Sequence, residues 1–301
     1  MAMMRLDAKQ VLQRHDKALT KKEDFRNLYD EAYEFALPQR NLYDGYYNGG
    51  VQGQKKMNRV FDSTAINSTQ RFANRMQSGI FPPQRKWCRL EPGSDIPQDR
   101  KAEAQAALDA YGDKLFDTLK QSNFDIAIGE FLLDLCVGTA VMLVQPGDDT
   151  NPINFISVPQ FLVAFDEGAN GQVDNVYRRM KLKAESIQRQ WPDAEIPAEL
   201  KNLIDQKPTE EVELVEATIF DPERGDYCYH VIDKRSKTEL VYRRMDNTPW
   251  IVSRYAKVAG ETYGRGPLIT AMPDIKTLNK TLELVLKNAS LSISGVYTAA
   301  D

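Results

Sequence analysis

Chemistry in this chain would have to come from very few nucleophilic or metal-ligating side chains. The 301 residues contain two histidines, His15 and His230, and three cysteines, Cys88, Cys136 and Cys228. Cys228 and His230 lie two residues apart in a strand-like segment, so they share one face and a Cys/His metal pair is conceivable. Two further ligands at a recognisable spacing are missing. We therefore expect no metal site and no cofactor.

The motifs of hydrolases and nucleotide-binding enzymes are also missing. The sequence contains no HExxH and no GxSxG. The glycine-rich stretch 50–56 lacks the GxxxxGK[ST] spacing that places a lysine at nucleotide phosphates. Gly264-Arg265-Gly266 lacks the third glycine of GxGxxG and is followed by proline, which favours a hinge. The acidic pairs at 148–149 and 210–211 have no third carboxylate for a two-metal nuclease. The sequence predicts no catalytic residues and no enzyme activity.

The charge is unevenly distributed along an ordinary globular composition. Hydrophobic residues make up 42% and charged residues 27%, and the formal net charge is −4. Residues 1–92, 93–260 and 261–301 carry +6, −10 and 0. A basic first third beside an acidic middle suggests surfaces that face different partners, although scattered charges are also typical of a solvated surface.

The cysteines and the apolar runs bear on whether the chain meets a reducing environment or a membrane. An odd number of widely spaced cysteines fits a reducing environment, and we expect Cys136 to be a core residue. The start of the chain does not read as a secretory signal. The longest apolar stretch, Phe131 to Val144, contains Asp134 and is too short for a bilayer, so we expect no membrane partner.

Hydrophobic spacing predicts helices in residues 1–138 and a β-rich region at 139–260. The first helix carries Leu12, His15 and Leu19 on one face, and a fifth runs from Phe124 to Val137. Short β-branched and aromatic runs then recur, separated by turn residues such as Arg224-Gly225. We interpret this region as a small antiparallel barrel or meander with a helical insert at about 184–205.

A basic, aromatic-rich segment lies between the second and third helices. Residues 41–59 hold three tyrosines and four glycines, followed by Lys55, Lys56 and Arg59. Basic residues beside aromatics can hold nucleic acid by phosphate contact and stacking. The alternative is an exposed loop that orders against a neighbouring subunit, and we regard all three cations as candidate loop contacts.

The last predicted helix has apolar residues on two opposed sides. A heptad-like row runs through Leu278, Leu282 and Val285, while Leu284 and Leu291 fall nearly opposite. Such a helix must be flanked on both sides, by neighbours in a ring or by the body of a monomer. These five residues are our candidates for contacts between subunits.

A polar stripe separates the two apolar rows. It contains Lys276, Lys280, Glu283 and Lys287. In a ring of subunits, this charged row would line a central space or face away from it.

Several motifs, in this order, resemble those of the portal, or head-to-tail connecting, proteins of short-tailed double-stranded DNA bacteriophages. The resemblance covers most of the chain. The matching segments are Leu37-Pro38-Gln39-Arg40, Phe61-Asp62-Ser63-Thr64-Ala65, Ala73-Asn74-Arg75-Met76, Gly79-Ile80-Phe81-Pro82-Pro83 with Trp87 and Leu90, Tyr263-Gly264-Arg265-Gly266-Pro267 and Asp274-Ile275-Lys276-Thr277-Leu278-Asn279.

The resemblance implies an α+β fold with portal-type parts. Residues 1–270 would form the helical and β-rich wing, residues 271–294 the first stem helix, and residues 295–301 the start of the clip. Family members continue through the rest of the clip, a second stem helix and a crown. The chain is therefore expected to be truncated relative to the family.

The resemblance also implies a function. Such proteins form a ring, usually of twelve subunits, at one capsid vertex, and DNA passes through it during packaging and ejection. In such a ring, Lys276, Lys280 and Lys287 would be candidates for weak, sequence-independent contacts with DNA phosphates. The alternative places these lysines in ion pairs with Glu283 of a neighbouring helix. Implied partners are double-stranded DNA, the terminase large subunit, tail adaptor or neck proteins, and major capsid and scaffolding proteins. The location would be the virion, and the host cytoplasm during assembly. Alternatives are a collar or tail adaptor ring, or a DNA-processing packaging enzyme.

Overall fold

The first half of the described chain is helical. A computed structural model describes residues 5–40, 59–83 and 85–294. The helices before the sheets are α1 (Ala8–Glu23), α2 (Arg26–Ala36), α3 (Thr64–Ile80), α4 (Lys101–Gln121) and α5 (Phe124–Val137). Helix α1 begins with a capping box, because Asp7 Oδ1 accepts the Gln10 N–H at 2.7 Å and Gln10 Oε1 accepts the Asp7 N–H at 3.1 Å.

The buried face of α1 differs from the predicted one. Val11, His15, Ala18 and Lys22 are buried, whereas Leu12 and Leu19 are only half-buried. The face is shifted because α1 packs on a sheet through small side chains and the Lys22 stem. The predicted fifth helix, by contrast, is confirmed at both ends.

The β-rich half contains two open antiparallel sheets. The strands are β1 Thr139–Pro146, β2 Ile153–Val158, β3 Val163–Glu167, β4 Val173–Lys183, β5 Glu211–Asp221, β6 Asp226–Asp233, β7 Thr238–Met245 and β8 Trp250–Arg254. Strands β3 to β7 form a five-stranded meander in chain order, and β2, β1 and β8 form a three-stranded sheet. The predicted turn at Arg224-Gly225 is confirmed, with Gly225 at a φ of +73°.

The meander prediction is therefore confirmed and the barrel prediction is wrong. Helices cover both faces of the five-stranded sheet, so its apolar side chains are buried without closure. On one face α6 (Ala184–Gln190) and α7 (Ala198–Gln206) pack through Ile187 and Leu200. On the other face, Val11 and Ala18 of α1 pack against the sheet.

The last helix, α8 (Pro267–Ser294), begins four residues before the predicted residue 271. Proline is favoured at the first helical position because its missing N–H would have no partner there. The preceding glycines, predicted as a hinge, also permit close packing of the backbone. A Cβ on Gly264 would lie 2.4 Å from the Gly138 carbonyl oxygen, and one on Gly266 would lie 2.1 Å from that of Cys136. The start of α8 is thus pressed against the end of α5.

Candidate interface on the last helix

Helix α8 is attached to the body only at its base. Leu268 and Met272 are buried in the main core, where Tyr29 and Tyr263 also lie. After Asn279, no residue of α8 is buried, and residues 284–294 are all exposed. At 1.5 Å per residue, the part beyond Asn279 extends about 22 Å. The far half of α8 therefore projects from the body.

The body does not bury the first apolar row. Leu278 is 43% exposed and Val285 is 56% exposed, while Leu282 is half-buried. The described body leaves this row largely exposed, because α8 projects from it beyond Asn279. A role of these residues between subunits remains a prediction.

The opposite row and a further face are also exposed. Leu284 and Leu291 are 55% and 59% exposed. Leu286 and Ile293 are exposed as well, and sequence reasoning missed them. At 100° per residue they continue the face that Met272 and Ile275 bury lower down. The apolar run at 284–286 was the signal that could have identified Leu286.

All three candidate channel lysines form ion pairs within this chain. Lys276 Nζ lies 2.6 Å from a carboxylate oxygen of Glu31 on α2. Lys280 and Lys287 both contact Glu283, at 2.9 and 2.5 Å. Their hydrogen bonds hold the pKa of Glu283 at about 2. The Glu283 pairs thus lie within one helix, and the stripe keeps a net positive charge.

Asn279 fixes α8 to the segment before α3. Its Oδ1 accepts the N–H groups of Phe61 and Asp62 at 2.7 and 3.3 Å, and its Nδ2 donates to the carbonyl of Arg59 at 2.8 Å. The side chain of Arg59, a candidate loop contact, lies 3.1 Å from Glu34. Lys55 and Lys56 lie outside the described residues. Asn279 lies in the Asp274–Asn279 motif, but the sequence gave no signal for its partners.

A buried ion pair fixes the segment after α2 to α5. Arg40 donates Nε to Asp134 Oδ1 at 3.0 Å and Nη2 to Oδ2 at 2.7 Å, and Tyr33 donates its hydroxyl to Oδ1. Burial raises the pKa of the Asp134 carboxyl, against the opposing effect of Arg40. The Leu37–Arg40 motif thus has a structural role.

The conceivable Cys/His pair is accounted for by other contacts. Cys228 and His230 line one small cavity, but His230 Nδ1 lies 2.6 Å from Glu239 and Cys228 Sγ lies 3.7 Å from the Tyr242 hydroxyl. Across residues 5–40, 59–83 and 85–294, no cluster of three metal-ligating side chains occurs. In the same ranges, no helix is both long enough and apolar enough to cross a membrane.

The described surfaces thus define an α+β protein with one projecting helix that is apolar on several sides. The family model for the bacteriophage head to tail connecting protein matches residues 8–301, and the chain belongs to that family. The chain is 23% identical over 290 residues to the "Probable portal protein" of Bordetella phage BPP-1. The aligned residues make up 90% of this chain and 51% of the relative. The chain therefore spans about half the length of that curated relative.

Proposed function

We propose that this chain forms the body and first stem helix of a portal ring at one vertex of a phage capsid. The projecting half of α8 is the observation that supports the proposal most strongly. Leu284, Leu286 and Leu291 are exposed there, and each leucine left in water forgoes roughly 1.5–3 kcal/mol. Neighbouring copies in a ring bury these side chains.

The ring is the conduit for double-stranded DNA during packaging and ejection. The acidic middle of the chain suits a channel body that does not hold DNA tightly, because each neutralised phosphate strengthens a non-specific grip. Lys276, Lys280 and Lys287 supply weak phosphate contacts, and their pairs with Glu31 and Glu283 lower the strength of those contacts. DNA thus slides past a stripe of partly compensated charge.

The assembled ring docks the terminase large subunit during packaging and tail adaptor or neck proteins afterwards. It contacts major capsid and scaffolding proteins in the host cytoplasm during assembly, and it remains in the virion. Its role is structural. Helix α8 favours a portal over a collar or tail adaptor, since the adaptor alternative has no stem helix.

Electron microscopy of the purified protein tests the proposal. We expect closed rings with a central opening wide enough for a DNA duplex, and no ATP hydrolysis in the same preparation. Closed rings with an opening too narrow for a duplex would contradict the conduit. ATPase activity that a single carboxylate substitution abolishes would favour a packaging enzyme.

A further inference from the structure

An open apolar groove lies between α3 and the base of α8. Its volume is about 340 Å³. The apolar lining comes from α3, α8 and the end of α5, and includes Ala65, Phe72, Cys136, Ala271, Ile275 and Leu278. Two carboxylates, Asp62 and Asp274, also line it. Within the described part of the chain, neither forms an ion pair.

Helix α4 carries an apolar face whose Tyr111 and Leu115 the described residues leave exposed. Of its 21 residues, Phe116 alone is buried. Ala104, Leu108, Tyr111 and Leu115 fall within about 60° of one another at 100° per residue, and Tyr111 is 66% exposed. The helix is held instead by its other sides.

The contacts that hold α4 lie away from Tyr111 and Leu115. Arg89 pairs with Asp109 at 3.0 Å, Gln105 donates to the Leu90 carbonyl at 3.0 Å, and the Trp87 ring packs edge-on against Phe116. Lys114 lies beside Tyr111 and Leu115 on the helix surface. Across the described ranges, Lys114 forms no ion pair.

The groove and α4 lie at opposite ends of the α3–α5 pair. Trp87 stacks on Phe124, the first residue of α5, and Gln77 near the end of α3 donates to the Asp125 carbonyl at 2.9 Å. The groove is formed instead by the first half of α3 and by Cys136 at the end of α5. One copy therefore carries a donor helix at one end and an acceptor groove at the other.

We propose that α4 of one copy docks in the α3–α8 groove of the next copy. Tyr111 and Leu115 fill the apolar groove, and Lys114 meets Asp274 at its edge. Two different surfaces that fit each other form a head-to-tail contact, which closes into a ring when the rotation permits. This inference rests on the proposed ring and names a contact in it beyond α8.

Cross-linking between two single-cysteine variants of the full chain tests the contact. Cys88 and Cys228 are replaced by serine and Cys136 by alanine in both, because Cys136 lines the groove and could react there. One variant carries Tyr111→Cys and the other Leu278→Cys. We expect a short bismaleimide to give a covalent dimer of the 34.2 kDa chain only in the mixture. Replacing Tyr111→Cys by Glu223→Cys, on an exposed turn, is the control.

The outcomes separate this contact from the ring itself. Rings without the 111–278 product would overturn the contact and leave the ring standing. A product from Leu291→Cys with Leu278→Cys, without the 111–278 product, would assign the groove to α8 of the neighbour. A protein that stays monomeric at every concentration would overturn both proposals.

A charge exchange gives an independent test. Lys114→Asp or Asp274→Lys alone should lower the association constant between copies by about 2- to 5-fold, as expected for a surface ion pair. The double variant should restore it. Equal losses in the single and double variants would contradict the pairing of these two side chains.

Discussion

The side-chain oxygen of Asn279 accepts the backbone N–H of Phe61 at 2.7 Å, across 218 positions of sequence. It is the last buried residue of α8, and its three hydrogen bonds are made where the helix leaves the body. The direction in which α8 projects is therefore set by a polar contact as well as by packing.

Replacing Asn279 should loosen the base of α8. Asn279→Ala leaves two N–H groups and one carbonyl without their partner, so we expect a loss of about 1–3 kcal/mol in the free energy of unfolding. Asn279→Asp keeps the acceptor and loses the donor to Arg59, so its loss should be smaller. The control is Asn288→Ala, the same substitution at an exposed position of α8. Urea unfolding measures all three, and an equal effect at both sites would contradict the anchor.

Arg40→Met should be strongly destabilising, because it leaves the buried Asp134 carboxylate without its guanidinium. Breaking one partner of such a pair costs about 3–5 kcal/mol. The folded-state pKa of Asp134 is raised by burial, so stability from this group is present at acidic pH and is lost as the pH rises through that pKa. Removing Arg40 strengthens this trend.

The loss caused by Arg40→Met should therefore be larger at neutral than at acidic pH. Denaturant unfolding at the two pH values measures it, with Arg71→Met on the exposed surface of α3 as the control. A loss independent of pH would mean that Asp134 does not bear the unpaired charge.

Lys22 should make stability rise with pH. Its amine donates to the carbonyls of Gln160 and Val163, and burial lowers its pKa to about 7. The unfolded chain then binds more protons than the folded chain between that value and the ordinary lysine pKa, so the free energy of unfolding increases with pH across this window. Lys22→Met should remove that increase, whereas Lys17→Met on the exposed side of α1 should keep it. Identical pH profiles for both variants would contradict the assignment.

The stem lysines should affect DNA handling more than assembly. With Lys276, Lys280 and Lys287 changed to alanine, rings should still form, because the ion pairs lie within one chain. The logarithm of DNA affinity should depend less on salt, by about 0.9 in slope for each lysine that contacts a phosphate. Affinity measured over a salt series, with ring counts by electron microscopy, distinguishes the two effects. Loss of rings with an unchanged salt dependence of DNA affinity would show that these lysines act in assembly and not in DNA contact.

Local patterns predicted much of this fold and less of its interfaces. Helix α5, the turn at Gly225 and the long last helix follow from spacing and turn residues. The open sheets do not, because closure depends on which helices cover the faces, and single-strand patterns are the same in both cases. The Lys276–Glu31 and Asn279–Phe61 contacts join residues far apart in sequence, so spacing carried no signal for the partner. Helical spacing identified Leu284 and Leu291 as exposed apolar residues. They lie opposite the row of Leu278, and the body of one subunit cannot cover both sides of the helix.

Ring assembly through the projecting half of α8 is tested most directly by Leu284→Glu combined with Leu291→Glu. Size-exclusion chromatography with light scattering measures the oligomer, circular dichroism reports whether the body stays folded, and Lys276→Glu is the charge-matched comparison on the same helix. We expect the double variant to keep its circular dichroism spectrum and lose or weaken ring formation, with Lys276→Glu much milder. Normal rings from the folded double variant would contradict the proposed interface.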